Sequence, residues 1–185
     1  HVYGKEEQWR GRAAFLLDGV CTSLSVDPLA SSANSVKHLD VFFRNRLADF
    51  PSLLASMRGL EVIVTYHSDR LVPREEFTRG IFKSMREVNV QSLSQSYRLV
   101  AYRVYLALMM NQAARECLGA STKSEGGEVS AVGATSDEED EISLDVVNSI
   151  ISAVDGERDP RSLVMSLQLI AATFKHHHRS IFTFP

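Results

Sequence analysis

Residues 6–24 read EEQWRGRAAFLLDGVCTSL, and within them Trp9, Ala13, Leu16, Leu17, Val20 and Leu24 recur at steps of three and four residues. That spacing marks one face of an α-helix, whereas a strand would alternate apolar and polar residues at every second position. The same reading carried outward predicts further helices over residues 33–47, 52–66, 74–87, 95–118, 142–154 and 161–176, about seven in all. Pro51, Pro73 and Pro160 each stand at a predicted helix start, where the first turn has no amide bond to lose. Asp159, just ahead of Pro160, suits an N-cap because its carboxylate accepts from orphan amides of that turn. Gly156, just past Val154, suits the left-handed residue that closes a helix. A turn over residues 155–159 therefore joins the last two predicted helices.

An Arg near a helix start followed by an apolar run occurs at Arg10, Arg98 and Arg161, with the proline-led start at Pro51 between the first two. These starts lie 41, 47 and 63 residues apart, and leaving out the 23 residues of 119–141 reduces the last interval to 40. A period of roughly 40–47 residues with two helices per period is the mark of HEAT and armadillo arrays. The predicted fold is therefore all-α, a HEAT-type α-solenoid of about seven helices in roughly three and a half helix pairs. Each pair leaves an apolar face that only the next pair covers. An ordinary helical bundle is the alternative.

With 44% hydrophobic residues in 185, the chain has enough apolar surface to bury a sizeable core. The net charge of −3 is local: residues 119–141 hold seven acids against Lys123, and the rest of the chain has 19 bases against 16 acids. So small a surplus, spread along the chain, argues against direct nucleic-acid binding, which concentrates Lys and Arg on one face. Residues 119–141 are rich in Gly, Ser, Thr and Glu without periodicity and read as a flexible acidic insert loop. Within it Ser136 precedes Asp137, Glu138 and Glu139, the pattern an acidophilic kinase favours, which makes Ser136 a candidate phosphorylation site. The same acids also suit a solvated loop entering a helix N-terminus. Cys21 and Cys117 lack any CxxC or CxH partner and read as buried free thiols of a reducing compartment. The longest apolar run, residues 99–110, is broken by Arg103 and is too short to span a membrane. The chain opens on His1 with no charged-then-apolar leader, as an excised piece of a longer protein would.

Candidate chemistry is sparse. His176, His177 and His178 point about 100° apart on a helix and do not converge on one metal ion, so a frayed helix end is expected there. His38 and His67 stand alone and are expected to be surface or satisfied core groups. Glu75 and Glu76 fit a helix first turn, and the acids of residues 137–141 lack the fixed geometry that acid–base catalysis needs. No GxSxG, GxGxxG, phosphate-binding glycine loop or HExxH pattern occurs. The expectation is a protein that is no enzyme and has no catalytic residue, cofactor or metal. Candidate partner contacts are Arg74, Arg79, Lys83 and Arg86, spaced along one side of a predicted helix, where they would draw an acidic client or form an ordinary solvated face. Arg158 and Arg161 join them on the charged turn. That turn also reads as a plain intra-repeat connection, with Asp159 and Arg161 pairing to their equivalents on a neighbouring repeat.

Three stretches resemble one known family. Residues 81–93, IFKSMREVNVQSL, with Gln95 and Arg98, residues 154–163, VDGERDPRSL, and residues 42–49, FFRNRLAD, are similar to segments of the amino-terminal region of the Mms-nineteen (methyl methanesulfonate sensitivity) family. They follow the family's order, and residues 119–141 depart from it by being longer and more acidic. The resemblance implies that residues 1–185 are one fragment of an amino-terminal HEAT-repeat domain. It implies a non-catalytic adaptor that presents apo-proteins of DNA replication, repair and transcription to the cytosolic iron–sulfur cluster assembly machinery, in cytoplasm and nucleus. Its partners would be the assembly targeting subunits, bound through the rest of the protein, and apo iron–sulfur clients, with no membrane and no direct nucleic acid. The alternative is a HEAT scaffold of transport or signalling unconnected with iron–sulfur assembly, and a catalytic helical domain is the more distant reading.

Overall fold

The computed structural model describes residues 2–26, 33–119 and 137–177. The regular structure among them is entirely helical: α1 (Val2–Val26), α2 (Ala33–Asn45), α3 (Phe50–His67), α4 (Arg74–Arg86), α5 (Gln95–Met110), α6 (Gln112–Cys117), α7 (Asp137–Val154) and α8 (Pro160–His176). Short 3-10 turns at Ser68–Arg70 and Val90–Ser92 precede α4 and α5.

The helices stack in two rows. In one, α1 lies against α3, α3 against α5 and α5 against α8; in the other, α2 lies against α4 and α4 against α6. Across the rows α2 packs on α3, α4 on α5 and α7 on α8. Three pairs preceded by a single helix, with the short α6 set against α4 and α5, make the expected three and a half units of a helical solenoid, each sheltering one side of its neighbour. The buried layer between the rows includes Phe43, Met57, Leu60, Met85, Tyr105, Leu108, Ile150 and Leu169. No described helix is long and apolar enough to cross a membrane.

Local sequence explains most boundaries. Pro51 and Pro160 occupy the first turns of α3 and α8 as expected, whereas Pro73 is the N-cap residue of α4 and lies just outside it. Gly156 has φ +70°, the left-handed conformation that ends α7, and its missing Cβ would face open space. Asp159 caps α8 by accepting from the amides of Arg161 (2.9 Å) and Ser162 (3.4 Å).

Two boundaries differ from expectation. The helix expected over residues 95–118 breaks at Asn111, which turns extended (φ −78°, ψ 116°) and separates α5 from α6. Its side chain accepts from the Ala114 amide at 3.0 Å and donates to the Val64 carbonyl and the Ser68 hydroxyl at 3.2 and 2.7 Å. One residue thus caps α6 and ties it to the end of α3. The second difference is at α7, which begins at Asp137, so the acids of residues 137–141 belong to a helix and not to the loop. Residues 120–136, including Ser136, lie outside the described residues.

The FFRNRLAD stretch acts as a packing device at the crossing of α2 and α3. Phe43 is fully buried against Gly59, and Arg44 turns back to bond buried Asp40 through Nε (2.9 Å) and Nη2 (2.7 Å). Burial raises the Asp40 pKa, and the Arg44 bonds and charge offset part of that rise. Asp49 ends the stretch by accepting from the Ser52 hydroxyl at 2.6 Å as the chain enters α3.

Candidate interaction surface

Two of the three family-like stretches meet face to face. Residues 86–91, leaving α4, and Asn148, Ser149, Ser152 and Ala153 of α7, just ahead of the second stretch, line with Tyr105 a groove of about 420 Å³. Past Gln91 a second hollow of about 400 Å³ runs along Arg98, Tyr102 and residues 155–159. At the other end Arg86 and Asn148 border a third beside Glu141, Leu144 and Asp145. The three hollows share Arg86, Gln91 and Asn148 as borders and form a furrow of mixed polar and apolar lining along the seam between two helix pairs.

In the hollow beyond Gln91 sits Glu157, whose side chain is only 2% exposed. It accepts from Arg98 Nε (2.8 Å) and Nη2 (3.2 Å), from the Tyr102 hydroxyl (2.9 Å), and from the amides of Arg158 and Asp159 (2.9 Å each). Burial alone would raise its pKa, but the bonds from Arg98, the Asp159 amide and Tyr102, with the Arg98 charge, outweigh it and hold the carboxyl at about 2. Burial, and then the bond to Glu157, push the Tyr102 phenol up. Beside this cluster Gln95 donates to Asp159 at 2.6 Å, and Gln91 donates to the carbonyls of Ser152 and Asp155 at 2.7 and 3.3 Å. Gly156 allows the backbone reversal that turns Glu157 inward.

The expected contact residues fall into two groups. Arg74 is half-buried, Lys83 is exposed, Arg79 pairs with Glu75 at 2.7 Å and donates to the Cys117 carbonyl, and Arg86 pairs with Asp145 of α7. Arg79 and Arg86 therefore already hold carboxylates, which weakens the basic face read from the sequence. Arg158 and Arg161 are exposed on the turn. Asp159 meets the neighbouring pair as expected, accepting from Gln95 of α5, but the second contact is made by Glu157 with Arg98 of α5 and not by Arg161. The sequence reading singled out the turn but missed Glu157 as its buried centre. The usable signal was the spacing of Gln95, Arg98 and Tyr102, which is one helical stripe.

The histidines correct two expectations. His177 is not at a frayed end: it is 1% exposed, with Nδ1 2.8 Å from the Ser143 hydroxyl of α7 and no hydrogen-bond partner at Nε2. His38 is exposed, but His67 is buried with neither ring nitrogen bonded, so it is not a satisfied core group. His178 and the Cys21 side chain lie outside the described residues, and Cys117 is half-buried. Among the described residues no three His, Cys, Asp or Glu side chains are grouped to hold a metal ion.

Burial, with the His176 and Arg115 charges, lowers the His177 pKa from 6.5 to about 4. The folded state thus holds this ring neutral over a range in which the unfolded chain protonates it. The resulting stability is full above about pH 6.5 and is lost as pH falls towards 4, with about 2 kcal/mol gone by pH 5. Urea unfolding at about pH 7.5 and pH 5 should show this loss in the native chain and a smaller one in His177→Asn; equal losses would refute it.

The model of the MMS19 amino-terminal family, described as Dos2-interacting transcription regulator of RNA-Pol-II, matches residues 1–183. The chain is 26% identical over 179 residues to the MMS19 nucleotide excision repair protein homolog of Dictyostelium discoideum, a match covering 94% of this chain and 14% of that protein. The Bos taurus protein of the same name is 30% identical over 172 residues, 89% of this chain and 13% of that protein. The Homo sapiens protein of that name is 28% identical over the same length and with the same coverage. The chain spans about a seventh of the length of these relatives. No solved structure matches it.

Proposed function

Because this chain belongs to the MMS19 amino-terminal family, we propose that it is a non-catalytic stretch of scaffold serving DNA repair and RNA-polymerase-II transcription. More narrowly, it helps to present apo-proteins of DNA replication, repair and transcription to the cytosolic iron–sulfur cluster assembly machinery. The family match across residues 1–183 carries this reading. The two-row stack supports it physically, since piled helix pairs offer a long surface on which a partner docks through many modest contacts. In this reading the assembly targeting subunits bind through the rest of the protein and apo iron–sulfur clients contact this segment, in cytoplasm and nucleus, with neither membrane nor nucleic acid bound directly.

The test is co-purification with the intact protein from its host. Iron–sulfur assembly subunits and apo-client enzymes are the expected companions. Recovery of nuclear-import or phosphatase partners, with no assembly subunit, would replace this reading with that of a transport or signalling scaffold.

A further inference from the structure

Gln95, Arg98 and Tyr102 follow one another at steps of three and four residues and so share one face of α5, and Gln91 lies in the 3-10 turn just ahead of it. All four reach across to residues 152–159 of the next helix pair. Gln91 grips the last turn of α7 at the carbonyls of Ser152 and Asp155 (2.7 and 3.3 Å), and Tyr102 grips it at Ala153 (3.2 Å). Arg98 holds Glu157 in the middle of the turn at 2.8 Å. Gln95 holds Asp159 Oδ1 at 2.6 Å, and that same oxygen accepts from the Arg161 amide at the start of α8. The end of one helix, the turn and the start of the next are thus each fastened to the same stripe.

We infer that this stripe is a latch fixing the α4 and α5 pair against the α7 and α8 pair at one angle, so that the two pairs form a single stiff arm. Repeat arrays owe their compliance to small rotations between neighbouring units that meet through apolar packing. Apolar contacts are non-directional and tolerate sliding. Hydrogen bonds weaken steeply once bent, so bonds at three points along a seam oppose rotation in a way that a greasy contact does not. A stiff arm keeps both walls of the furrow at a constant separation. This inference concerns the mechanics of the fold and stands whether or not the scaffold reading holds.

The test is amide hydrogen exchange on the full chain and on its Gln91→Ala/Gln95→Ala variant, which strands no buried charge. Residues 155–163 should exchange about tenfold faster in the variant, while the protected middle of α3 around Leu60 and Ile63 stays unchanged. Unchanged exchange at residues 155–163 would mean that packing alone sets the angle and would overturn the latch. A rise spread equally over α3 would overturn it too, since the bonds would then serve global stability and not one seam. Gln91→Ala alone, at an exposed position, should give the same local pattern at smaller amplitude.

Discussion

Replacing Glu157 by Gln should cost the fold about 3 kcal/mol near neutral pH, the largest effect expected of any near-isosteric change in the seam. The Glu157 side chain is 2% exposed, and its carboxylate accepts five hydrogen bonds, from Arg98, Tyr102 and two backbone amides. A Gln amide keeps the shape but sets an NH2 group against donors from Arg98, Tyr102 or the backbone. It also leaves the Arg98 guanidinium, 22% exposed, without its counter-ion. Breaking a buried pair by removing one partner costs about 3–5 kcal/mol, and the partial exposure of Arg98 places this case at the lower end.

The pH dependence supplies an independent signature. The folded carboxyl titrates at about 2 against 4.5 for an unperturbed Glu. A depressed folded value means stability that is full above about pH 4.5 and lost as pH falls towards 2, about 3 kcal/mol in total. Urea unfolding at about pH 7 and pH 3 should show a loss about 2 kcal/mol larger in the native chain than in Glu157→Gln, the His177 share being common to both. The Arg98→Ala/Glu157→Ala pair should fall short of the sum of its single variants by more than about 1 kcal/mol. A Glu157→Gln cost below about 1 kcal/mol would mean that water, and not the seam, satisfies these groups.

The second large effect belongs to Gly59. A Cβ there would lie 2.4, 2.5 and 2.7 Å from three ring carbons of Phe43, inside any allowed contact. The ring has no room to withdraw, being fully buried and held edge-on to Phe42 at 5.6 Å. Gly59→Ala should therefore destabilise the fold by about 3 kcal/mol, the upper part of the overpacking range, even though Ala is the better helix former. Phe43→Leu removes the ring carbons that clash, so the double variant should be more stable than the two separate losses predict. Denaturant titration of the four proteins reads this directly. Additive losses would mean that α2 and α3 do not cross at this point.

How much of this was legible beforehand depended on whether the cause was local. Helix identity was, because Ile150 and Val154 carry their period in the chain itself, whereas the period of Trp9, Ala13 and Leu16 announced a helix but not its packed face, since all three are exposed. The turn before α8, where Gly156 and Asp159 act through their own backbone neighbours, was legible too. The break at Asn111 was not, because it depends on Val64 and Ser68, residues far off in sequence that a continuous apolar pattern does not announce. His177 was misread for the same reason: its burial is decided by Ser143 of α7 lying against it. The seam shows the limit most clearly. Residues 81–98 and 154–163 each stood out as blocks, yet nothing in one sequence says that Arg98 meets Glu157.

Every contact described depends on the helices being piled in line, with α1 and α8 at opposite ends of one row. The most direct measurement is a pulsed electron spin resonance distance between labels at exposed Gln8 of α1 and exposed Gln168 of α8, with Cys21 and Cys117 replaced by Ser. Three helix-to-helix steps of about 8–10 Å each predict a separation of about 25–35 Å. A distance below about 20 Å would place both helices around a common centre, as in a closed bundle, and would contradict the stack.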